Sequence, residues 1–157
     1  MNEKEVKSIL INKLGFSQDA LYKIDIFCRE LIKYNQKFNL IAKSTIDQIW
    51  DRHVLDSAQL VKFIEFNDDS SLSDLGTGAG FPGIILAIFN KNKKFHVKLY
   101  DKSKVKTKFL TLVCEKLNIK AEIYENDYIT HEIRSNYVIS RAFKKLEEHI
   151  RISREII

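Results

Sequence analysis

Cysteine is scarce in this 157-residue sequence: only Cys28 and Cys114, far apart and with no CxxC spacing. That excludes a disulfide scaffold and a cysteine-built zinc module. Nowhere do 18 apolar residues run together, so no segment is expected to span a membrane. The opening stretch, MNEKEVKSILINK, lacks the continuous apolar core of a secretory signal. The expected setting is intracellular and cytoplasmic. Proline occurs once, as Pro82, a scarcity that bears on the chemistry discussed below. With so few special devices, the chain must fold by burying a core, and a domain of this length buries roughly 70% of its unfolded surface.

Hydrophobic residues make up 45% of the chain and charged ones 30%, which is the balance of one ordinary globular domain. Net charge is +5, which permits a polyanionic partner without requiring one. Ile, Lys and Asn supply 21, 20 and 10 residues, so part of the lysine excess is compositional bias. The distribution is more telling. Residues 1–66 carry 10 basic and 9 acidic groups, whereas residues 91–108 hold eight lysines against Asp101 alone.

The spacing predicts helices over residues 1–66. Val6, Ile9, Leu10 and Leu14 recur at helical intervals before Gly15, a good stop residue. Ser17 is placed to cap a second helix with Ala20, Leu21, Ile24, Phe27, Leu31 and Tyr34 on one stripe. A third helix is expected from Thr45, with Gln48 completing a capping box. Its inner face would be Ile46, Ile49, Trp50, His53, Ser57, Leu60, Val61 and Ile64, an apolar stripe with two polar intruders. Past the polar break at 67–71, strands are expected at 71–75, 95–100, 120–125 and 137–141. Helical runs at 82–90 and 103–117, and from about 143, alternate with them. Such alternation indicates an α/β, Rossmann-like parallel sheet. The expected organisation is a helical extension over 1–66 and a Rossmann-like part over 67–157, forming one compact domain.

Between the first strand and its helix runs Asp74-Leu75-Gly76-Thr77-Gly78-Ala79-Gly80-Phe81-Pro82-Gly83. Glycines let the backbone turn tightly and approach a ligand, and amides at a helix start are expected to face its polar or anionic groups. Residues 78–83 satisfy G-x-G-x-x-G, and Asp101 ends the next strand, where a carboxylate can accept both hydroxyls of a ribose. No Gly-Lys-Ser/Thr follows, so this is not a P-loop. A nicotinamide dinucleotide and S-adenosylmethionine both remain open. Asp74 favours the second, because its charge suits an ammonium and repels a pyrophosphate. Little chain also follows in which to build a dehydrogenase substrate domain.

Four stretches, in order, carry a specific resemblance: Tyr34-Asn35 through Asn39-Leu40, Trp50-Asp51-Arg52-His53 to Asp56-Ser57, Asp74 to Gly83, and Ser140-Arg141-Ala142. The sequence resembles the ribosomal small-subunit methyltransferase G family, also called glucose-inhibited division protein B. The resemblance implies a class I S-adenosylmethionine-dependent methyltransferase with a helical N-terminal extension, which methylates a guanine N7 of 16S rRNA. Carried over by position, it implies cofactor contacts at Gly76 and Phe81, and at Asn126 and Asp127 beside the adenine. Arg141 falls in the family's Ser-Arg-Ala motif at the ligand edge of the sheet. With Asp74, Gly78 and Asp101, these are the expected cofactor-binding residues. Family members continue past the helix near 143–157 into further strands, so the usual C-terminal strands and part of the substrate wall are expected to be absent here.

The reaction fits the scarcities. Guanine N7 carries a lone pair and no proton, so its methylation needs positioning and no strong general base. Exocyclic-amine enzymes use an Asn/Asp-Pro-Pro-aromatic loop, which a chain with one proline lacks. Neither cysteine sits where a carbon-5 nucleophile would, and buried packing explains both better. No catalytic acid or base is assigned. His53 and Asp56 lie one helical turn apart, but no second histidine is near enough for a metal site. A polar bond between head and sheet is the preferred reading, with an RNA contact as the alternative. Lysines 91, 93, 94, 98, 102, 104, 106 and 108 are placed to follow phosphates of 16S rRNA or of the small ribosomal subunit. The target should be unpaired, since N7 is hidden in the deep groove of A-form RNA. Two other readings compete: an RNA-binding remnant without activity and, remotely, an NAD-dependent oxidoreductase.

Overall fold

A computed structural model describes residues 1–125, 134–141 and 145–156. Two helices open the chain, α1 (Glu3–Leu14) and α2 (Gln18–Phe38). Asn2 and Glu5 form a reciprocal capping box on α1, and Gly15 ends it in the left-handed region at φ 76°. Ser17 Oγ accepts from the Ala20 amide at 3.1 Å, the expected cap of α2. The predicted stripe of α2 is buried from Ala20 to Leu31, while Tyr34 stays half-buried and Asn35 goes inside. Both ends of the Asn35 amide are used on Ile41: its Oδ1 accepts from Ile41 N (2.9 Å), and its Nδ2 donates to Ile41 O (3.2 Å). That clamp turns the chain sharply after α2.

The third helix departs from expectation. Lys43–Gln48 is a 3-10 turn, Trp50–Leu55 a π-helical turn, α3 (Asp56–Ala58) a single α turn, and Gln59–Phe63 again 3-10. Thr45 caps nothing: its hydroxyl donates to Ala42 O at 2.8 Å and stands 2.9 Å from His53 Nε2. A wide π turn shifts the phase of the face by about one residue. Val54, Leu55 and Ala58 are therefore buried, while Ile46, Leu60 and Val61 are only partly covered.

Among the described residues four parallel strands follow, β1 (Ser71–Leu75), β2 (His96–Tyr100), β3 (Glu122–Tyr124) and β4 (Tyr137–Ile139), in the order β3-β2-β1-β4. Helices α4 (Gly83–Phe89), α5 (Lys104–Leu117) and α6 (Leu146–Ile156) accompany them. Alternation along β1 sends Leu72 and Asp74 to one side and Ser73 and Leu75 to the other. Leu72, Val97 and Leu99 join α4, α5 and the head helices in the main core. Leu75 and Tyr100 pack with Ile152 and Ile156 of α6 in a second, smaller core. Aromatic contacts bind the head to the sheet layer: Phe27 lies 5.1 Å from Phe81 and 6.2 Å from Phe109, and Tyr34 5.1 Å from Phe109. The strand order reverses between β1 and β4, and in open parallel sheets the ligand crevice lies at the carboxyl ends beside such a reversal.

Candidate functional site

At that reversal the chain leaves β1 through the glycine loop. Gly76, Gly78 and Gly80 all have positive φ, at 68°, 62° and 101°. Their needs differ. A Cβ on Gly78 would meet only Gly76 O, at 3.9 Å, so its glycine is required by conformation and leaves open space outside the loop. A Cβ on Gly80 would stand 2.5 Å from Ile84 Cγ1, and one on Gly83 would run into the Leu99 side chain and lie 2.7 Å from Asp74 Oδ2. Gly83 thus lets α4 seat against β2, and Gly80 lets the loop pass close to Ile84 of α4 and Leu110 of α5. Pro82 occupies the cap position before α4.

Two carboxylates hold the loop closed. Asp74 is fully buried; its Oδ2 accepts from Thr77 Oγ1 at 2.6 Å and from the Gly83 amide at 2.8 Å. Asp101, following β2, accepts from the Gly78 amide at 2.9 Å through Oδ2 and from the Ser103 amide at 2.9 Å through Oδ1. Thr77 N donates to Tyr100 O, and Gly80 N to Thr77 O, each at 3.0 Å. The sequence suggests loop amides turned toward a ligand, but those of Thr77, Gly78, Gly80 and Gly83 are spent within the protein. Asp101 and Asp74 take those of Gly78 and Gly83, and the carbonyls of Tyr100 and Thr77 take the other two. A loop braced by carboxylates is a poor cradle for pyrophosphate.

Burial pushes the Asp74 carboxyl up to about 6, against the pull of Thr77, Gly83 and the Arg141 charge. Its Oδ1 is buried and, among the described residues, has no hydrogen-bond partner. Such an atom is costly to leave unpaired, and a cationic N–H donor brought to the loop would satisfy it. These acceptors therefore fit a ligand bearing an ammonium and a ribose, the second at Asp101.

Phe81 turns its ring inward. It is buried, tilted against Phe27 and stacked on the His53 imidazole at 5.1 Å and 28°. Any contact it makes with a ligand is through its backbone. Arg141, just past β4, holds its guanidinium carbon 5.5 Å over the same ring. The arginine donates to His53 Nδ1 at 2.8 Å and to Arg52 O at 3.4 Å, and pairs with Asp56 at 3.6 Å. The glycine loop is thereby clasped between the head and the end of β4.

The profile of the GidB family, described as rRNA small subunit methyltransferase G, matches residues 20–157. The chain belongs to the rRNA small subunit methyltransferase G family. Among relatives of that name, the protein of Pelagibacter ubique is 36% identical over 142 residues, covering 87% of this chain and 66% of its own length. The Bartonella henselae protein is 33% identical over 154 residues, covering 96% of this chain and 71% of its own. The chain thus spans about two thirds of these relatives. Coclaurine N-methyltransferase, solved with N-methylheliamine and SAH, superposes with a TM-score of 0.57 at 16% identity, over 99% of this chain and 54% of the other. The fold is the Rossmann-like fold of S-adenosylmethionine-dependent methyltransferases.

For this member of the methyltransferase G family, the structure gathers Asp74, Gly76, Gly78, Phe81, Asp101 and Arg141 at the glycine loop and the strand ends beside it, with Asp74 and Phe81 buried. Asn126 and Asp127 lie outside the described residues. His53 and Asp56 join Arg141 in the head-to-sheet bond that their spacing suggested. Thr45, Thr77 and Asn35 were not singled out as structural ligands; only the His53 and Ser57 intrusions in an apolar stripe hinted at a polar seam. The lysine run divides: Lys91, Lys93 and Lys94 precede β2, at the end remote from the loop, and Lys102 to Lys108 follow it. Lys94 pairs with Asp68, Lys104 with Glu125, and Lys106 stands 4.0 Å from Asp101. A cleft of about 510 Å³ between α5 and β3 opens at the opposite end of the sheet, lined by Phe95, Cys114 and Ile119. Both cysteines are buried, and burial pushes the Cys114 thiol up to about 12, which suits packing. Among the described residues no group of histidine, cysteine and acidic side chains converges to hold a metal, and no helix is long and apolar enough to cross a membrane.

Proposed function

We propose that the chain is an S-adenosylmethionine-dependent methyltransferase of the cytoplasm that methylates a guanine N7 of 16S rRNA in the small ribosomal subunit. The observation that carries this is the carboxylate-braced glycine loop at the sheet's reversal, in a chain of this family. Asp74 offers a buried acceptor toward an ammonium, Asp101 toward ribose hydroxyls, and Gly76, Gly78 and Phe81 lend backbone. Asn126 and Asp127 would flank the adenine, and Arg141 would face an anionic group. Residues 1–66 act as a helical brace, and residues 67–157 carry the cofactor.

When bound, S-adenosylmethionine supplies an electrophilic methyl group. The protein's part is to hold the donor and exclude water while the base is set in line, and no side chain has to remove a proton from N7. Lys102 and Lys108, on the loop side of the sheet, suit phosphate contacts. Calorimetric titration with S-adenosylmethionine and with NADH tests the cofactor. Transfer of labelled methyl to methyl-deficient small subunits, mapped by cleavage at 7-methylguanine, tests the reaction. Binding without transfer would favour the RNA-binding remnant, and preference for NADH would refute the reading. Replacing Lys102 and Lys108 together with Gln should reduce the salt slope of RNA binding by about 1.4, at roughly 0.7 per contact to single strands. The same change at Lys91 and Lys93 should leave the slope unaltered.

A further inference from the structure

His53 stands where the head meets the glycine loop, and its heavy-atom contacts fix its protonation. Arg141 Nη2, 2.8 Å from Nδ1, can only donate, so Nδ1 is the acceptor and carries no proton. Thr45 commits its hydroxyl hydrogen to Ala42 O at 2.8 Å, so Thr45 Oγ1, 2.9 Å from Nε2, accepts from it. The imidazole is therefore the neutral Nε2–H tautomer. Its charged neighbours are Arg141, Arg52 and Asp56. Burial and the arginines hold it down to about 4, with Asp56 pulling the other way.

Arg141 gains from this a fixed place. A free arginine side chain loses rotamer entropy when it is ordered on a ligand. Here His53, Arg52 O and Asp56 share that ordering before any ligand arrives, and Phe81 supplies a flat seat beneath the guanidinium. The seat is also part of the glycine loop, so the cation and the loop are set relative to each other. A protonated imidazole or a lysine in place of His53 would repel the guanidinium.

We propose that His53 is a positioning residue: as its Nε2–H tautomer it anchors Arg141 over Phe81, so that the guanidinium is fixed beside the glycine loop before the cofactor arrives. This rests on the reading of the crevice as an S-adenosylmethionine site. Two measurements separate the two ideas. Nitrogen NMR of histidine-labelled protein should show His53 as the Nε2–H tautomer across pH 5–8, with the Nδ1 signal shifted in Arg141→Ala. An Nδ1–H tautomer, or titration near 6.5, would overturn the anchoring. Calorimetry should then give His53→Ala about tenfold weaker S-adenosylmethionine binding, and His53→Asn, whose amide oxygen can replace Nδ1, within about threefold of the parent. In the Arg141→Ala background, loss of His53 should weaken binding no further. An equal loss in both backgrounds, or a destabilised His53→Ala that binds normally, would reduce His53 to packing. If the parent bound no cofactor, the functional reading would fall, and the tautomer and its response to Arg141→Ala would still decide the anchoring. If His53→Ala does not fold, the NMR and His53→Asn decide.

Discussion

At the level of single residues, Asp74 and His53 pull in opposite directions as pH changes. The Asp74 carboxyl lies near 6 in the fold against an ordinary 3.8, so it favours folding below about pH 4 and that advantage is lost as pH rises through 6. His53 lies near 4 against an ordinary 6.5, so it favours folding above pH 6.5 and loses that advantage as pH falls through 4. Between pH 4 and 6.5 the two partly cancel. Relative to the parent, His53→Asn should gain stability on acidification across this window, and Asp74→Asn should lose it, the latter by something on the order of 2–3 kcal/mol. Urea unfolding at stepped pH reads both slopes; parallel curves would show that neither group titrates as placed. On the proposed function, Asp74 also links to the cofactor. An ammonium beside its unpaired Oδ1 would favour the ionised form, so binding at pH 6 should release about half a proton. Calorimetry in buffers of different ionisation enthalpy measures that release, and Asp74→Asn should abolish it.

At the level of elements, the glycine loop separates conformation from packing. Gly83→Ala drives a Cβ into the Leu99 side chain and against Asp74, and should cost about 1–3 kcal/mol or more in urea unfolding. Gly78→Ala has room for its methyl and should lose about 1–2 kcal/mol to its positive φ alone. Of the two, only Gly78→Ala changes the surface that a cofactor would approach, so its affinity loss should exceed its stability loss. If Gly83→Ala were as stable as the parent, the seating of α4 on β2 would be misread. Strands and helices of this part were legible because hydrophobic period and glycine punctuation agree there: the expected 71–75 is β1, and 103–117 is α5 to within a residue. The third helix was not legible beyond its general helical character. Its apolar residues fit a 3.6 period well enough to hide the π turn at 50–55, where His53 meets Thr45 and Arg141, the latter 88 residues away. In the site, Asp74 and Asp101 could be named from position, but nothing in the sequence tells that they bind the loop's own amides, because that depends on the depth at which β1 and β2 bury them.

At the level of the molecule, the head and the sheet share one core, and this makes the glycine loop depend on the head helices. Phe27 of α2 is fully buried against Phe81 of the loop and Phe109 of α5, and His53 also stacks on Phe81. Residues 1–66 therefore brace the loop. Phe27→Ala should cost about 3–5 kcal/mol, as large-to-small changes in well-packed cores do. Because the cavity would open at the shared core, the loss should be felt equally on both sides. Trp50, the single tryptophan, reports the head by its fluorescence. Hydrogen exchange of the β1 amides reports the sheet. In the parent the two should give one unfolding free energy, and in Phe27→Ala both should fall by the same amount. Were Trp50 to become exposed while the β1 amides stayed protected, the head would be a separate unit, and its clasp on the glycine loop could not be what sets Arg141 in place.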